Sequence, residues 1–288
     1  MADGILIIDK PAGWTSMDVC AKLRGILRER RVGHGGTLDP MATGVLPVFV
    51  GRATRAVEFA ENSRKEYDAG LHLGLVTDTQ DVTGETLETR PVSVSRAEVE
   101  AVLNRFRGDI RQIPPMYSAV KIRGQRLYDL ARQGREVERK PRPVSIYELE
   151  LLEQEGEADY RLRCVCSKGT YIRTLCHDIG QALGCGGCLY TLRRTMAAGF
   201  TLADAVTIAD AESRGEALLR PTDSLFARYP ALNLRSAGVE RRVRNGNSFT
   251  DDSAADGIYR VYGRDGAFLC LSRAEGGTVA AVKNFFGA

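Results

Sequence analysis

Asp39 is the residue whose setting most invites chemistry. It lies in the stretch Gly33-His34-Gly35-Gly36-Thr37-Leu38-Asp39-Pro40-Met41-Ala42-Thr43-Gly44-Val45-Leu46-Pro47, where four glycines and two prolines fall within fifteen residues. Glycine reaches backbone angles closed to other residues, and proline fixes one angle and removes a donor. The stretch therefore reads as a tightly specified loop and not as a helix or ordinary strand. Pro40 pushes Asp39 towards an extended backbone, and Val45 to Val50 reads as a short buried strand. A lone acid on a rigid loop feeding a core strand suits catalysis. A capped structural turn fits the spacing equally well.

Two other clusters could hold a metal. Asp78 and Asp81 lie in the polar turn Thr77 to Gly84, where capping of the turn is the favoured reading over metal binding. Cys185-Gly186-Gly187-Cys188, with Cys176-His177 upstream, has a spacing suggestive of zinc. One C-x-x-C and a Cys-His pair fall short of two well-formed half-sites, so no metal is expected.

The elements that must position Asp39 come next. Gly4 to Asp9 reads as a first strand closed by Lys10-Pro11. Thr15 or Ser16 can cap a helix running to about Arg28, with Val19, Leu23, Ile26 and Leu27 on one face. Lys65 to Gly74 alternates as a strand with Tyr67, Ala69, Leu71 and Leu73 on one face. Ser95-Arg96-Ala97-Glu98 is a capping box opening another helix. Ser145 to Glu153 and Tyr160 to Cys166 read as a hairpin-like pair turning at Gly156. Lys168 to Tyr171 starts a helix through about Leu183, and Leu189 to Ala198 is a further strand. Ala203 to Leu219 reads as helical surface. From Leu232 onward short strands with Gly-containing turns predict a small all-β module.

The 288 residues leave ample core for one large or two smaller domains. Hydrophobic residues make up 43% and charged residues 27%, ordinary for a soluble globular chain. No apolar run approaches a membrane span of roughly 18 residues, and the amino-terminal stretch lacks the basic region of a signal peptide. The seven cysteines are an odd, scattered set, which suits reduced thiols in a cytoplasm. Net charge is only +3, but Lys121 to Arg142 carries eight basic residues against Asp129, Glu136 and Glu138. Such a segment fits contact with phosphates, or a solvated loop.

The stretch around Asp39 resembles the signature of the bacterial tRNA pseudouridine synthase B family, a GH-x-G-TLDP-x-ATG-x-L run around the catalytic aspartate. The opening strand with its DKP-x-G turn is similar too. Lys65-Glu66-Tyr67 matches a K-x-Y motif whose tyrosine faces the target base. Cys166 to Leu175 matches the segment whose arginine, here Arg173, pairs with the aspartate. Leu192-Arg193-Arg194-Thr195 matches a segment whose leucine lines the pocket. The resemblance spans about residues 3 to 200.

What it implies can be stated by residue. Asp39, Tyr67 and Arg173 would be catalytic. His34, Lys10, Gly36, Thr37, Lys65, Asp78, Tyr171 and Leu192 would touch RNA or substrate, with His34 filling the space left by a flipped nucleotide. The reaction would be isomerisation of uridine 55 in the T loop of tRNA. Its bond changes require no cofactor, and Asp39 could act as nucleophile at C1′, remove a 2′ proton, or stabilise a cationic sugar. The implied fold is α+β, with a mixed, largely antiparallel sheet and a small carboxy-terminal β-barrel of PUA type. Residues 1–230 would form the catalytic domain, with a thumb-like insert at about 120–142 clamping the T arm, and 231–288 the RNA-binding module. The expected partner is tRNA, bound by a monomer without guide RNA or membrane. A guide-RNA-dependent relative, a tRNA-folding chaperone and a glycoside hydrolase are the alternatives; the last lacks a convincing second acid.

Overall fold

A computed structural model describes residues 2–122 and 124–287. Nine strands build its main sheet. In chain order they are β1 (Gly4–Lys10), β2 (Val32–His34), β3 (Thr43–Val50), β4 (Lys65–Leu73), β5 (Gly108–Gln112), β6 (Arg142–Gln154), β7 (Asp159–Cys166), β8 (Gly187–Ala197) and β9 (Phe200–Thr201). The order across the sheet is β1-β3-β8-β4-β7-β6-β5, with β2 on β3 and β9 on β8. The β3–β8 pair is parallel and the other ladders are antiparallel. The sheet is therefore mixed and largely antiparallel, and with its helices the fold is α+β.

The apolar run of β1 is buried on both faces. Leu6 and Ile8 point into one core with Leu46, Val48 and Val50. Ile5 and Ile7 point into another with Val45 and Phe49. Each such side chain removed from water contributes about 1.5–3 kcal/mol. The first face is covered by α1 (Ser16–Leu27), whose Val19, Cys20, Leu23 and Leu27 are buried. Its amino terminus is closed by a capping box between Thr15 and Asp18, and Arg28 ends it in the left-handed conformation. Helix α2 (Arg96–Leu103) uses the Ser95–Glu98 capping box. Helix α3 (Ile172–Ala182) packs Ile172, Leu175, Cys176 and Ile179 into the first core.

A second, five-stranded sheet follows, curled into a half-barrel. Its strands are β10 (Ala231–Asn233), β11 (Phe249–Thr250), β12 (Gly257–Tyr262), β13 (Phe268–Glu275) and β14 (Thr278–Asn284), ordered β10-β12-β13-β14-β11. Leu271 of β13 and Phe285, just after β14, join the second core, where Phe268 stacks on Phe285 at 5.1 Å. The back of the main sheet thus buries part of the half-barrel.

Three expectations need correction. The expected all-β tail contains a helix, α4 (Ala237–Arg244), capped by Ser236 and carrying Arg241, Arg242 and Arg244 in its last turn. Residues 203–219 break into the α-helix Ile208–Arg214 flanked by 3-10 turns at Leu202–Asp204 and Gly215–Leu218, because Gly215 cannot continue the α-helix at φ 53°. The loop around Asp39 is shorter than expected: Gly33 and His34 belong to β2 and Thr43 to Pro47 to β3, leaving residues 35–42.

Gly44, at the start of β3, shows why the stretch around Asp39 needs glycine. It sits at φ 100° where β3 meets β8, and a Cβ there would run into the Arg194 backbone. Gly44→Ala is expected to destabilise the protein by at least about 2 kcal/mol, read by denaturant unfolding.

The basic segment makes its own small core from Met116, Leu127 and Leu130. A short hairpin, Lys121–Ile122 with Gln125–Arg126, precedes the helix Leu127–Ala131. Arg123 lies outside the described residues. Lys121, Arg126, Arg132, Arg135, Lys140 and Arg142 are exposed.

Candidate active site

Asp39 is held by a loop braced from three sides. Before it, the carbonyls of Gly36 and Thr37 accept from the Arg194 guanidinium at 3.1 and 3.5 Å. Beside it, the Leu38 N–H donates to Ser16 Oγ at 2.9 Å, and Ser16 Oγ returns a bond to the Leu38 carbonyl at 3.2 Å. After it, the Pro40 carbonyl accepts from Gly13 N–H at 2.8 Å and from Lys10 Nζ at 3.3 Å. The start of α1 and a residue of β8 thereby fix a loop that Leu38 and Ala42 also anchor in the first core.

Arg173 meets this loop from the first turn of α3. A cation there opposes the helix dipole, so its stability must come from other partners. Its Nε donates to Asp39 Oδ2 at 2.9 Å and lies 3.6 Å from Asp81 Oδ2. Nη1 donates to the Thr79 carbonyl at 2.8 Å and Nη2 to the Tyr117 carbonyl at 2.9 Å. Arg173 is 4% exposed and Asp81 5%. A planar fork spends its donors well on such convergent acceptors.

The start of α3 is fixed in turn by Gln112, whose side chain bonds both the N–H and the carbonyl of Tyr171 at 3.0 and 3.2 Å.

Tyr67 reaches the same place from β4. The register sets it opposite Arg194 of β8. Burial pushes its phenol up to about 12, a rise partly countered by the Arg194 charge and hydrogen bond. Leu192, two residues before Arg194 on β8, is 8% exposed and shares the cleft. The cleft measures about 360 Å³, and Asp39, Tyr67, Arg173, Gly36, Thr37, Lys65, Tyr171 and Leu192 all line it. Three segments distant in sequence therefore converge on Asp39.

Three of the expected contacts lie elsewhere. Lys10 is fully buried, and its Nζ donates to the carbonyls of Pro11, Trp14 and Pro40. It braces the loop from inside and has no free face for RNA. Burial lowers its pKa to about 8, with the Asp39 charge opposing the shift. His34 does not line the cleft. It pairs with Val48 across β2 and β3, and its buried Nδ1 has no partner among the described residues. Burial, with the Arg194 charge adding, holds its imidazole below the usual range. Asp78 is not among the lining residues: it caps its turn by accepting from Glu85 N–H at 2.8 Å, and its carboxylate also bonds the hydroxyl of Tyr117, which does line the cleft.

Four residues of the site are not called from the sequence. Asp81 is weighed there with Asp78 as a metal pair or, preferably, a capped turn. In the fold its Oδ1 takes the Thr83 N–H at 3.0 Å while Oδ2 faces Arg173. The Tyr117 carbonyl and Ser16 hydroxyl carry no local signal. Arg194 does carry one: on a strand, residues two apart share a face, so Leu192 in a pocket puts Arg194 there too. Among the described residues, no group of three or more metal-type ligands is present. Cys176, Cys185 and Cys188 are buried free thiols, and burial raises the pKa of each.

Comparison with known proteins gives this geometry a family. Residues 24–172 match the TruB family pseudouridylate synthase amino-terminal domain, and residues 173–227 match the tRNA pseudouridylate synthase B carboxy-terminal domain. The chain is 46% identical to a tRNA pseudouridine synthase B of Pseudomonas fluorescens (strain Pf0-1), covering 96% of this chain and 93% of that protein. It is also 46% identical to one from Syntrophomonas wolfei subsp. wolfei, covering 94% and 93%. Among solved structures, a Cbf5-Nop10-Gar1 complex contains a chain that superposes with a TM-score of 0.75 at 27% identity, over 99% of this chain and 85% of that one. Fold, cleft and sequence agree, and the chain belongs to the TruB family of pseudouridylate synthases.

Proposed function

We propose that this pseudouridine synthase converts uridine 55 in the T loop of tRNA to pseudouridine, with Asp39 as the catalytic carboxylate. The observation that carries the reading is the Asp39–Arg173 ion pair at a cleft walled by Tyr67 and Leu192. The isomerisation breaks C1′–N1, turns the base, joins C1′ to C5 and moves one proton from C5 to N1. These changes balance without an oxidant, reductant or hydrolytic water.

The target uridine must leave its stack to enter so small a cleft. Arg173 holds the carboxylate aimed into the cleft. Asp39 then attacks C1′ or takes the C2′ proton. Tyr67 offers a ring against the base and a hydroxyl for the late loss of the C5 proton. His34, although half-buried, acts as the wedge once the loop meets RNA.

The exposed basic residues between Lys121 and Arg142 supply phosphate contacts for the T arm as a thumb on the domain formed by residues 1–230. Residues 231–288 act as a PUA-like RNA-binding module, with Arg241 and Arg242 exposed on α4. No guide RNA takes part. Pseudouridine mapping in RNA from cells with and without the protein tests the reading: loss confined to position 55 of tRNAs supports it, and an unchanged tRNA profile contradicts it.

A further inference from the structure

Breaking C1′–N1 leaves the bond's electron pair on the uracil. If Asp39 has bonded to C1′, its carboxylate has become a neutral ester. If it has taken the C2′ proton, it has become a neutral acid and the C2′–H pair forms the C1′–C2′ double bond. By either route one negative charge passes from Asp39 to the detached base. Arg173 is fixed on Asp39, Asp81 and two carbonyls and cannot follow that charge.

We propose that Arg194 and Lys65 form an anion site that stabilises the uracil base while it is detached from the ribose. Both line the cleft, and they are 0% and 7% exposed. Their hydrogen-bond partners are neutral: the carbonyls of Val45, Thr37 and Gly36 and the Tyr67 hydroxyl for Arg194, and the carbonyls of Glu61 and Ser63 for Lys65 at 2.8 and 2.9 Å. Among the described residues, neither has a carboxylate within ion-pair distance. Gly36 covers both, since a Cβ there would lie 3.4 Å from Lys65 Cε and 3.6 Å from Arg194 Nη1. A side chain at that point would stand between the cations and the base.

Two buried cations hydrogen-bonded only to neutral groups, with the Glu61 carboxylate acting on Lys65 from beyond ion-pair distance, are costly in the resting protein. The depressed Lys65 pKa, about 8, reports the same burial. Fixed charges of this kind are worth most where charge develops during reaction. The bland alternative is that Arg194 only clamps the loop carbonyls and Lys65 only closes the Glu61 turn.

The inference rests on the proposed uridine isomerisation, and the experiment separates the two. T-arm stem-loops carrying uridine or 5-fluorouridine at the target are followed in single turnover by loss of the starting nucleoside. Fluorine makes the departing base a more stable anion, so it needs less help. Arg194→Met and Lys65→Met should each slow the uridine substrate by about a hundredfold and the fluorinated one at least about tenfold less, with RNA affinity unchanged. Arg194→Lys, which keeps a cation, should recover part of the rate. Equal slowing on both substrates would overturn the anion site and leave only a structural clamp. If Arg194→Met does not fold, Lys65→Met decides by the same comparison. Asp39→Asn, inactive on both substrates, tests the underlying reading alone.

Discussion

Asp39→Asn is expected to lower pseudouridine formation on a T-arm stem-loop by about a thousandfold or more while RNA affinity stays within about threefold. The substitution keeps the shape of the side chain, and Arg173 Nε can still donate to the amide oxygen at the 2.9 Å position. The loop survives because its braces involve Ser16, Lys10 and Arg194 and not the carboxylate. On the proposed reading, what is lost is the carboxylate oxygen that attacks C1′ or takes the C2′ proton. Single-turnover kinetics beside a binding titration separate the two effects. A variant retaining more than a tenth of the activity would show that Asp39 does not carry the chemistry.

Arg173→Met should damage both stability and activity. The guanidinium joins the Asp39 loop, the Asp81 turn and the Tyr117 segment, each held through a different nitrogen or shared edge. Its removal leaves Asp81, 5% exposed, buried beside Asp39 without its cation. Breaking a buried pair from one side typically costs about 3–5 kcal/mol, and the same loss is expected here by denaturant unfolding. Turnover should fall by at least about a hundredfold at temperatures where the variant is folded. Arg173→Lys should recover little, because a point charge cannot meet four acceptors in one plane. Stability within about 0.5 kcal/mol of the parent would contradict this account of the hub.

Much of this was legible in the residues. The alternation of Lys65 to Gly74 put Tyr67 on the buried face of β4, where it lies. The Ser95–Glu98 capping box marked one helix start, and Thr15, one of two capping candidates, marked another. What the residues could not show is convergence. Lys10 looked like a cation for RNA, yet three carbonyls from the turn and the Asp39 loop close around it. His34 looked like a loop tip, but pairing with Val48 draws it into the sheet. The Arg173 partners Thr79 and Tyr117 act through backbone oxygens, which no side-chain pattern reveals.

One miss was avoidable. Val239 and Val243 stand four apart behind a capping Ser236, a helix signal obscured by three arginines and a glycine. Arg194 was avoidable too, since its parity with Leu192 on one strand placed it in the pocket.

The most direct measurement is guide-free conversion of a T-arm stem-loop by the purified protein, with every uridine mapped. The account predicts near-complete conversion of the uridine at position 55 and of no other, without added RNA or cofactor. Conversion at a different uridine, or none until a guide RNA is supplied, would contradict it.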